Sequence, residues 1–253
     1  MSAEAQINGF SSGMAALQKD WPKLKPAQRQ QRLQALASAQ AQANGSPSPR
    51  LVKMTEKELK DDPQKNGIFS YKEWQIKVNP NLLQHNELSA QQAAALGDTI
   101  YHETRHAEQW YLIARRQAET EGKASTILKT FPPPVAKKAA SQPLGASDCR
   151  RLCADQLYTS VWGAGSQSRN TTLHNLGPQT KAYLEAKKAH EAATKSGDQA
   201  KIAQAAARLA ATQQTYVATY AAYRALPEEA DAWDCGGRAK KGIEDALKPK
   251  GNH

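Results

Sequence analysis

The residue types best suited to chemistry lie close together between His102 and His106. The run reads His-Glu-Thr-Arg-His, so the two histidines are four positions apart and Glu103 follows the first of them. Residues four apart lie above one another on a helix, so both imidazoles would reach one metal ion. Glu103 would project about 100° away from His102, beside an attacking water and outside the ligand set. The spacing therefore predicts a zinc site with His102 and His106 as ligands and Glu103 as general base.

The segment around this motif predicts one long amphipathic helix. Ser89 and Gln92 form a capping-box pattern at its start, and Gly122 favours an end near Glu121. At the helical period the two histidines share an arc with apolar residues, namely Ala95, Leu96, Ala107, Trp110, Ile113 and Ala114. Outside that arc lie Thr104, Arg105 and Glu108. The motif should face protein, and the alternative to a metal site is a pair of hydrogen-bonded core histidines.

A third ligand has to come from a distant part of the chain. Catalytic zinc usually has three protein ligands, and the next histidine after His106 is His174. A helix is predicted to begin at Pro227, a favoured first-turn residue. On it Glu229 shares the apolar face, so we expect Glu229 to be the ligand and Glu228 to be a surface residue. An exchange of roles between the two glutamates stays open.

Two further polar residues near Glu229 each have two interpretations. Asp231 is either a partner that orients a ligating histidine or an exposed helix carboxylate. Tyr223 ends a stripe with Tyr216 and Tyr220 at helical spacing, and such stripes are most often packing surfaces. The alternative is that its hydroxyl stabilises the oxyanion formed during attack. We keep Tyr223 as a candidate catalytic residue.

The motif and the distant acidic segment together resemble zincin metallopeptidases whose third ligand is a glutamate. The runs that carry the resemblance are Tyr-His-Glu-Thr-Arg-His-Ala-Glu-Gln-Trp, Leu-Pro-Glu-Glu-Ala-Asp-Ala-Trp and the stretch 74–80. Among zincins they resemble toxin or effector domains of bacterial type VI and related contractile injection systems. The resemblance implies a zinc-dependent hydrolase of peptide bonds with a peptide or protein substrate. It also implies a carrier in a secretion apparatus and an immunity protein as partners.

Two other functions stay open on the sequence. The net charge of +10 favours an acidic target such as the bacterial envelope, so the bond cut could belong to a peptidoglycan peptide. A zincin-shaped module could also act without catalysis as a docking part of an injection system, although such a module has no use for Glu103. Basic residues are scattered and no base-reading motif accompanies them, so sequence-specific nucleic-acid binding is not expected.

The lack of a recognisable export signal predicts an unusual route of export. No run approaches the roughly 18 consecutive apolar residues of a membrane helix, and the first residues lack the basic start and apolar stretch of a signal peptide. We therefore expect synthesis in the bacterial cytoplasm and delivery by a contractile injection system into a target cell or its periplasm. The disulfide state of Cys149, Cys153 and Cys235 stays open, with buried thiols or a second zinc site as alternatives.

Composition and periodicity predict a mainly α fold with a small β-sheet, an α+β chain. Helices are expected over 26–43 and 147–162, and a long helical hairpin over 179–223, with 163–172 as a mobile loop. Leu152, Leu157 and Val161 are expected to form the buried side of the second helix. We divide the chain into a helical arm, 1–50, packed on a zincin-like domain, 51–253.

Alternating apolar residues between Gly67 and Asn79 predict a short β-hairpin or two strands. In zincins an edge strand beside the motif helix binds extended substrate, so the resemblance places Trp74 to Val78 at the edge of the sheet. The alternative is a small covering sheet that makes no contact with substrate.

Overall fold

The structure, a computed structural model, describes residues 3–61, 65–121 and 127–248. The helices are α1 (Ala3–Asp20), a 3-10 turn (Trp21–Lys23), α2 (Pro26–Ala43), α3 (Glu56–Asp61), α4 (Asn81–Gln84), α5 (Ala90–Glu121), α6 (Pro133–Ser141), α7 (Arg151–Val161), α8 (Ser166–Ser196), α9 (Gln199–Arg224) and α10 (Pro227–Leu247). The strands are β1 (Arg50–Lys53), β2 (Gly67–Ser70) and β3 (Gln75–Val78). A mainly α fold with a small sheet confirms the predicted fold class.

The chain forms two compact units. Residues 1–155 and 231–253 make up the first, and residues 156–230 make up the second. The first unit contains the sheet and the motif helix α5, and the predicted arm 1–50 belongs to this same unit. Across the described ranges, no helix combines the length and the apolar character that crossing a membrane requires.

The core of the first unit forms where α1 and α2 pack on α5. Its largest fully buried side chains on these elements are Met14, Leu33, Ile100 and Ile113. Phe10 of α1 meets Tyr101, the residue before the motif, edge to face with ring centroids 5.0 Å apart. Helix α2 has the predicted bounds, whereas α1 was not predicted. The start of the motif is therefore held by a helix that sequence reasoning missed.

The sheet has the strand order β1-β3-β2. Strands β2 and β3 pair antiparallel, which confirms the predicted hairpin, and β1 pairs parallel with the other side of β3. The prediction that Trp74 to Val78 form an edge strand is therefore wrong, because β1 covers that edge. Trp74 itself precedes β3 with a φ of 54°. The two edge strands of the sheet are β1 and β2, and β2 packs against α5.

The second unit contains the predicted helical hairpin, formed by α8 and α9. Its first helix begins earlier than the predicted residue 179. The expected loop over 163–172 is wrong from Ser166 onward, because α8 begins there. Gly197, at a φ of 71°, ends α8, and the Asp198 carboxylate caps α9 by accepting bonds from two backbone N–H groups. Leu157 and Val161 of α7 are buried as expected. Leu152 is 77% exposed, so its predicted burial is wrong.

Helices α5 and α10 approach each other closely at Gly236. A Cβ atom at this position would lie 2.3 Å from Asp98 Oδ1, 3.3 Å from the Asp98 backbone oxygen and 3.4 Å from His102 Cβ. Buried alanines, Ala232 and Ala239, continue this narrow face of α10. The close approach brings α10 against the turn of α5 that carries the first histidine of the motif.

Replacing Gly236 by Ala should therefore separate the two helices. We expect the free energy of unfolding to fall by about 1–3 kcal/mol through overpacking, measured by urea denaturation followed by circular dichroism. Gly237 is a matched control, because it is exposed and a Cβ there meets nothing within 4 Å. Gly237→Ala should stabilise the protein by roughly 0.5–1 kcal/mol through helix propensity. Equal effects at the two positions would contradict the close packing.

Candidate metal centre

His102 and His106 lie on consecutive turns of α5 with their rings directed at one another. Their Nε2 atoms are 3.0 Å apart, and the ring planes meet at 87°. Both side chains are buried. Two ligands on a tetrahedral zinc, each at 2.0–2.1 Å, are about 3.3 Å apart. The pair therefore suits one shared ion, and a direct N–H···N hydrogen bond is the competing explanation of the contact.

Glu229 joins this pair. The ligand atoms of His102, His106 and Glu229 all lie within 4.8 Å of one another, and all three residues are buried. Trp233, one turn further along α10, holds that helix against α5, with its ring centroid 4.7 Å from that of His102. Two imidazole nitrogens and one carboxylate oxygen are the donor set of many catalytic zinc sites, which leave one position open for water. The donor chemistry thus fits the expected ion.

Glu103 points to a different part of the structure. It is buried, yet it is not a member of the group formed by the histidines and Glu229. Its side chain lies against Gly67 at the start of β2, where a Cβ atom would be 3.2 Å from Glu103 Cγ and 3.5 Å from Oε1. Glycine at this position therefore leaves room for the Glu103 side chain. The arrangement leaves Glu103 outside the ligand set, as a general base requires.

Glu228 is not the surface residue that was predicted. It is 4% exposed, its Oε2 accepts a bond from Ser160 Oγ at 2.8 Å, and its Oε1 accepts one from Arg169 Nε. A buried carboxylate needs a partner of opposite charge, and Arg169 supplies it. Glu228 is thus occupied by Ser160 and Arg169, whereas Glu229 is the glutamate that lies with the histidines, so Glu229 stays our candidate for the third ligand.

Asp231 contacts α5 through two side chains. Arg105 donates to both of its carboxylate oxygens, at 2.7 and 3.1 Å, and Gln109 Nε2 donates to Oδ2 at 2.6 Å. Gln109 Oε1 lies 2.8 Å from Nδ1 of His106. Of the two interpretations of Asp231, the structure favours the partner of a histidine, although the contact runs through Gln109.

Tyr223 lies at the end of a ladder of tyrosine rings in the second unit. Tyr183 of α8 stacks on Tyr216 with centroids 4.9 Å apart, Tyr220 follows at 5.7 Å, and Tyr223 at 6.0 Å. Tyr216 and Tyr220 therefore serve to pack side chains against each other and against Tyr183. The catalytic role of Tyr223 stays a prediction.

The cysteines stand apart from the candidate centre. All three are free thiols; Cys149 is exposed, and Cys153 and Cys235 are partly buried. Burial raises the pKa of Cys235 to about 11. Within the described residues, the group of three potential ligands whose atoms lie within 4.8 Å of one another contains no cysteine. Free thiols are therefore favoured over a second zinc site, but the expectation that the thiols are buried is wrong for Cys149, which is exposed.

Sequence reasoning missed Arg105, Glu108 and Gln109. The helical projection placed the first two outside the inward arc, yet Glu108 is 7% exposed and Gln109 1%. Helix α5 is covered on nearly every side at the motif, so its polar residues are internal. A signal was present in the spacing of Arg105 and Glu108, which are three apart and of opposite charge.

The purified protein should contain one zinc ion per chain, because three buried ligand atoms converge. His106→Ala and Glu229→Gln should each reduce zinc, measured by elemental analysis, to background. Glu228→Gln is the matched control and should retain zinc, with circular dichroism to check folding. A wild-type protein that binds no metal even on titration would show that His102 and His106 are hydrogen-bonded core histidines.

The chain was compared with protein-family models, with curated proteins and with solved structures. No family model matches it, and neither the curated proteins nor the solved structures gave a match. No family is therefore assigned to the chain, and its function is inferred from the residues and their geometry.

Proposed function

We propose that this protein is a zinc-dependent peptidase. The observation that supports the proposal is the convergence of His102, His106 and Glu229, whose ligand atoms lie within 4.8 Å of one another. Glu103 follows the first histidine in the sequence, and its side chain lies against Gly67, outside the ligand group. Three protein ligands that leave one position open for water are the usual arrangement of a catalytic zinc site.

Each residue of the site would have a defined task. His102, His106 and Glu229 would hold the zinc ion, which when bound lowers the pKa of water and polarises a carbonyl group. Glu103 would accept the proton of the attacking water and donate it to the departing amine. Tyr223 is proposed as a group that stabilises the oxyanion.

A shallow recess on the same face of α5 supports a peptide substrate. The recess has a volume of about 130 Å³, with Leu88 and Leu96 buried in its floor and Ala95 exposed at its mouth. Thr99 lines it one helical turn before Glu103. One turn is about 5.4 Å, less than two residues of an extended chain. A side chain in the recess would therefore belong to a residue one or two positions from the cleaved bond.

The recess also predicts which side chains are preferred. A volume of about 130 Å³ holds more than one water-sized group, so the recess offers room for a side chain and not for a larger ligand. None of the residues that line it carries a carboxylate, ammonium or guanidinium group. The edge strand β2 packs against α5, and an edge strand is the element that would pair with an extended peptide. We therefore propose a substrate with an uncharged aliphatic residue near the cleaved bond.

Glu103→Gln should retain zinc and lose peptidase activity. Removal of a general base typically lowers the rate by about 10²–10⁴-fold, which peptide-library cleavage followed by mass spectrometry would detect. Glu87→Gln is the control, since Glu87 is exposed and outside the site. Purified sacculi in a parallel assay distinguish a peptidoglycan peptide from a protein substrate. A zinc-loaded wild type that cleaves neither would instead favour a non-catalytic docking module.

Ala95→Leu should narrow the recess without affecting the metal. We expect cleavage of peptides with leucine or methionine near the bond to fall by roughly 10-fold or more, while zinc content stays the same. Gln91→Leu adds the same side chain to an exposed position of α5 that does not line the recess. Cleavage profiles that are the same for Ala95→Leu, Gln91→Leu and wild type would remove the recess from the proposal.

The cellular part of the proposal follows from the resemblance alone. It comprises action as a toxin or effector, delivery by a contractile injection system with a carrier, and an immunity protein in the producing cell. The toxic effect can be tested by expressing the wild type and Glu103→Gln in the bacterial periplasm of separate cultures. Only the wild type should inhibit growth.

A further inference from the structure

Arg105, the residue before the second histidine of the motif, binds two carboxylates at once. It holds both oxygens of Asp231 in a bidentate pair, and its Nη1 donates to Glu108 Oε2 at 2.5 Å. A guanidinium keeps its charge in proteins, and both oxygens of Asp231 accept bonds from it in this bidentate pair, so the Asp231 side chain acts as an acceptor.

This acceptor determines the orientation of the next amide. Because Asp231 Oδ2 only accepts, the atom of Gln109 that lies 2.6 Å from it must be the amide nitrogen. The amide oxygen of Gln109 then faces His106 Nδ1 at 2.8 Å. An amide oxygen cannot donate, so Nδ1 of His106 must carry the proton. The lone pair of neutral His106 is thereby placed on Nε2, which faces Nε2 of His102.

The same pair also fixes the helix that carries the third ligand. Asp231 follows Glu229 by two residues on the uninterrupted helix α10, and its bidentate bond with Arg105 ties this helix to α5. On the other side of Arg105, Glu108 Oε2 accepts a bond from Asn44 Nδ2 at 2.7 Å. Asn44 is the residue that ends α2. One guanidinium thus links three helices at the candidate centre.

We infer that Arg105, Asp231 and Gln109 act together as positioning residues for the metal ligands. They hold His106 in the tautomer protonated on Nδ1, with Nε2 ready to bind the ion, and they hold α10 so that Glu229 reaches it. The inference rests on the proposed zinc site. Partners of metal ligands typically change metal affinity by about 10–100-fold when they are removed.

The tautomer can be measured in the full-length protein without metal. Long-range ¹H–¹⁵N spectra of ¹⁵N-histidine-labelled protein, recorded at a pH where the imidazoles are neutral, distinguish protonated from unprotonated ring nitrogens. His106→Gln identifies the signals of that ring. We expect Nδ1 of His106 to be the protonated nitrogen in the wild type and this preference to be lost in Gln109→Met. A wild-type His106 protonated on Nε2 would overturn the inference.

Zinc affinity, measured by competition with a chelator, provides the second test. Gln109→Met and Asp231→Asn should weaken zinc binding by about 10–100-fold, while the circular dichroism spectrum stays that of the wild type. Arg105→Lys should also weaken it, because an ammonium group cannot reproduce the bidentate pair. Glu119→Gln is the matched control. It removes the ion pair between Glu119, near the end of α5, and Arg151 of α7, and it should leave zinc affinity unchanged.

The outcomes separate this inference from the proposed function. Zinc binding without peptidase activity would reject the peptidase but leave the affinity test of the positioning residues intact. Wild-type affinity in both Gln109→Met and Asp231→Asn would reject the positioning role even if the protein cleaves peptides. If the wild type binds no zinc, the role of these residues in positioning metal ligands is rejected. A defined His106 tautomer would then be a property of a hydrogen-bonded core.

Discussion

The structure depends on the cost of burying polar groups around helix α5. His102, Glu103, Thr104 and His106 are each less than a tenth exposed, and Arg105 between them keeps a side chain that is 20% exposed, so most of the motif is removed from water. An ionisable group removed from water needs a partner, and around α5 the partners come from elements far away in the sequence. Helix α10 supplies most of them, and the end of α2 supplies another. The polar residues of the candidate centre therefore also determine how these helices are arranged.

Local signals predicted the helices because the causes of those helices are local. The Ser89 and Gln92 side chains exchange bonds with each other's backbone N–H groups at 3.1 and 2.9 Å, as the capping-box pattern indicated. Strand β1 was missed because its four residues form a strand only by pairing with β3, 25 positions later. The position of β3 within the sheet depended on that pairing, so the edge assignment failed with it.

The candidate site shows the same division between local and distant causes. Helical periodicity from Pro227 placed Glu229 on the inward face, and the structure brings it to the histidines. The same projection placed Glu228 and Arg105 at the surface, because it assumes that only the apolar side of a helix is covered. Glu228 is buried and the Arg105 side chain is only 20% exposed, and each meets an opposite charge from a remote part of the chain, 59 residues away for Glu228 and 126 for Arg105. No local pattern contains that information.

Stability alone does not explain a guanidinium held between two carboxylates inside a protein. Replacing buried ion pairs by apolar side chains is often neutral or stabilising, because the charges lose their hydration. A helix that served only as packing would be expected to place apolar residues where Arg105, Glu108 and Gln109 lie. Here the polar chain ends on Nδ1 of a histidine whose other nitrogen faces the neighbouring histidine. With its proton on Nδ1, His106 carries its lone pair on Nε2, where it can either bind a cation or accept a bond from His102, so the chain of hydrogen bonds prepares this nitrogen as an electron-pair donor toward the neighbouring histidine.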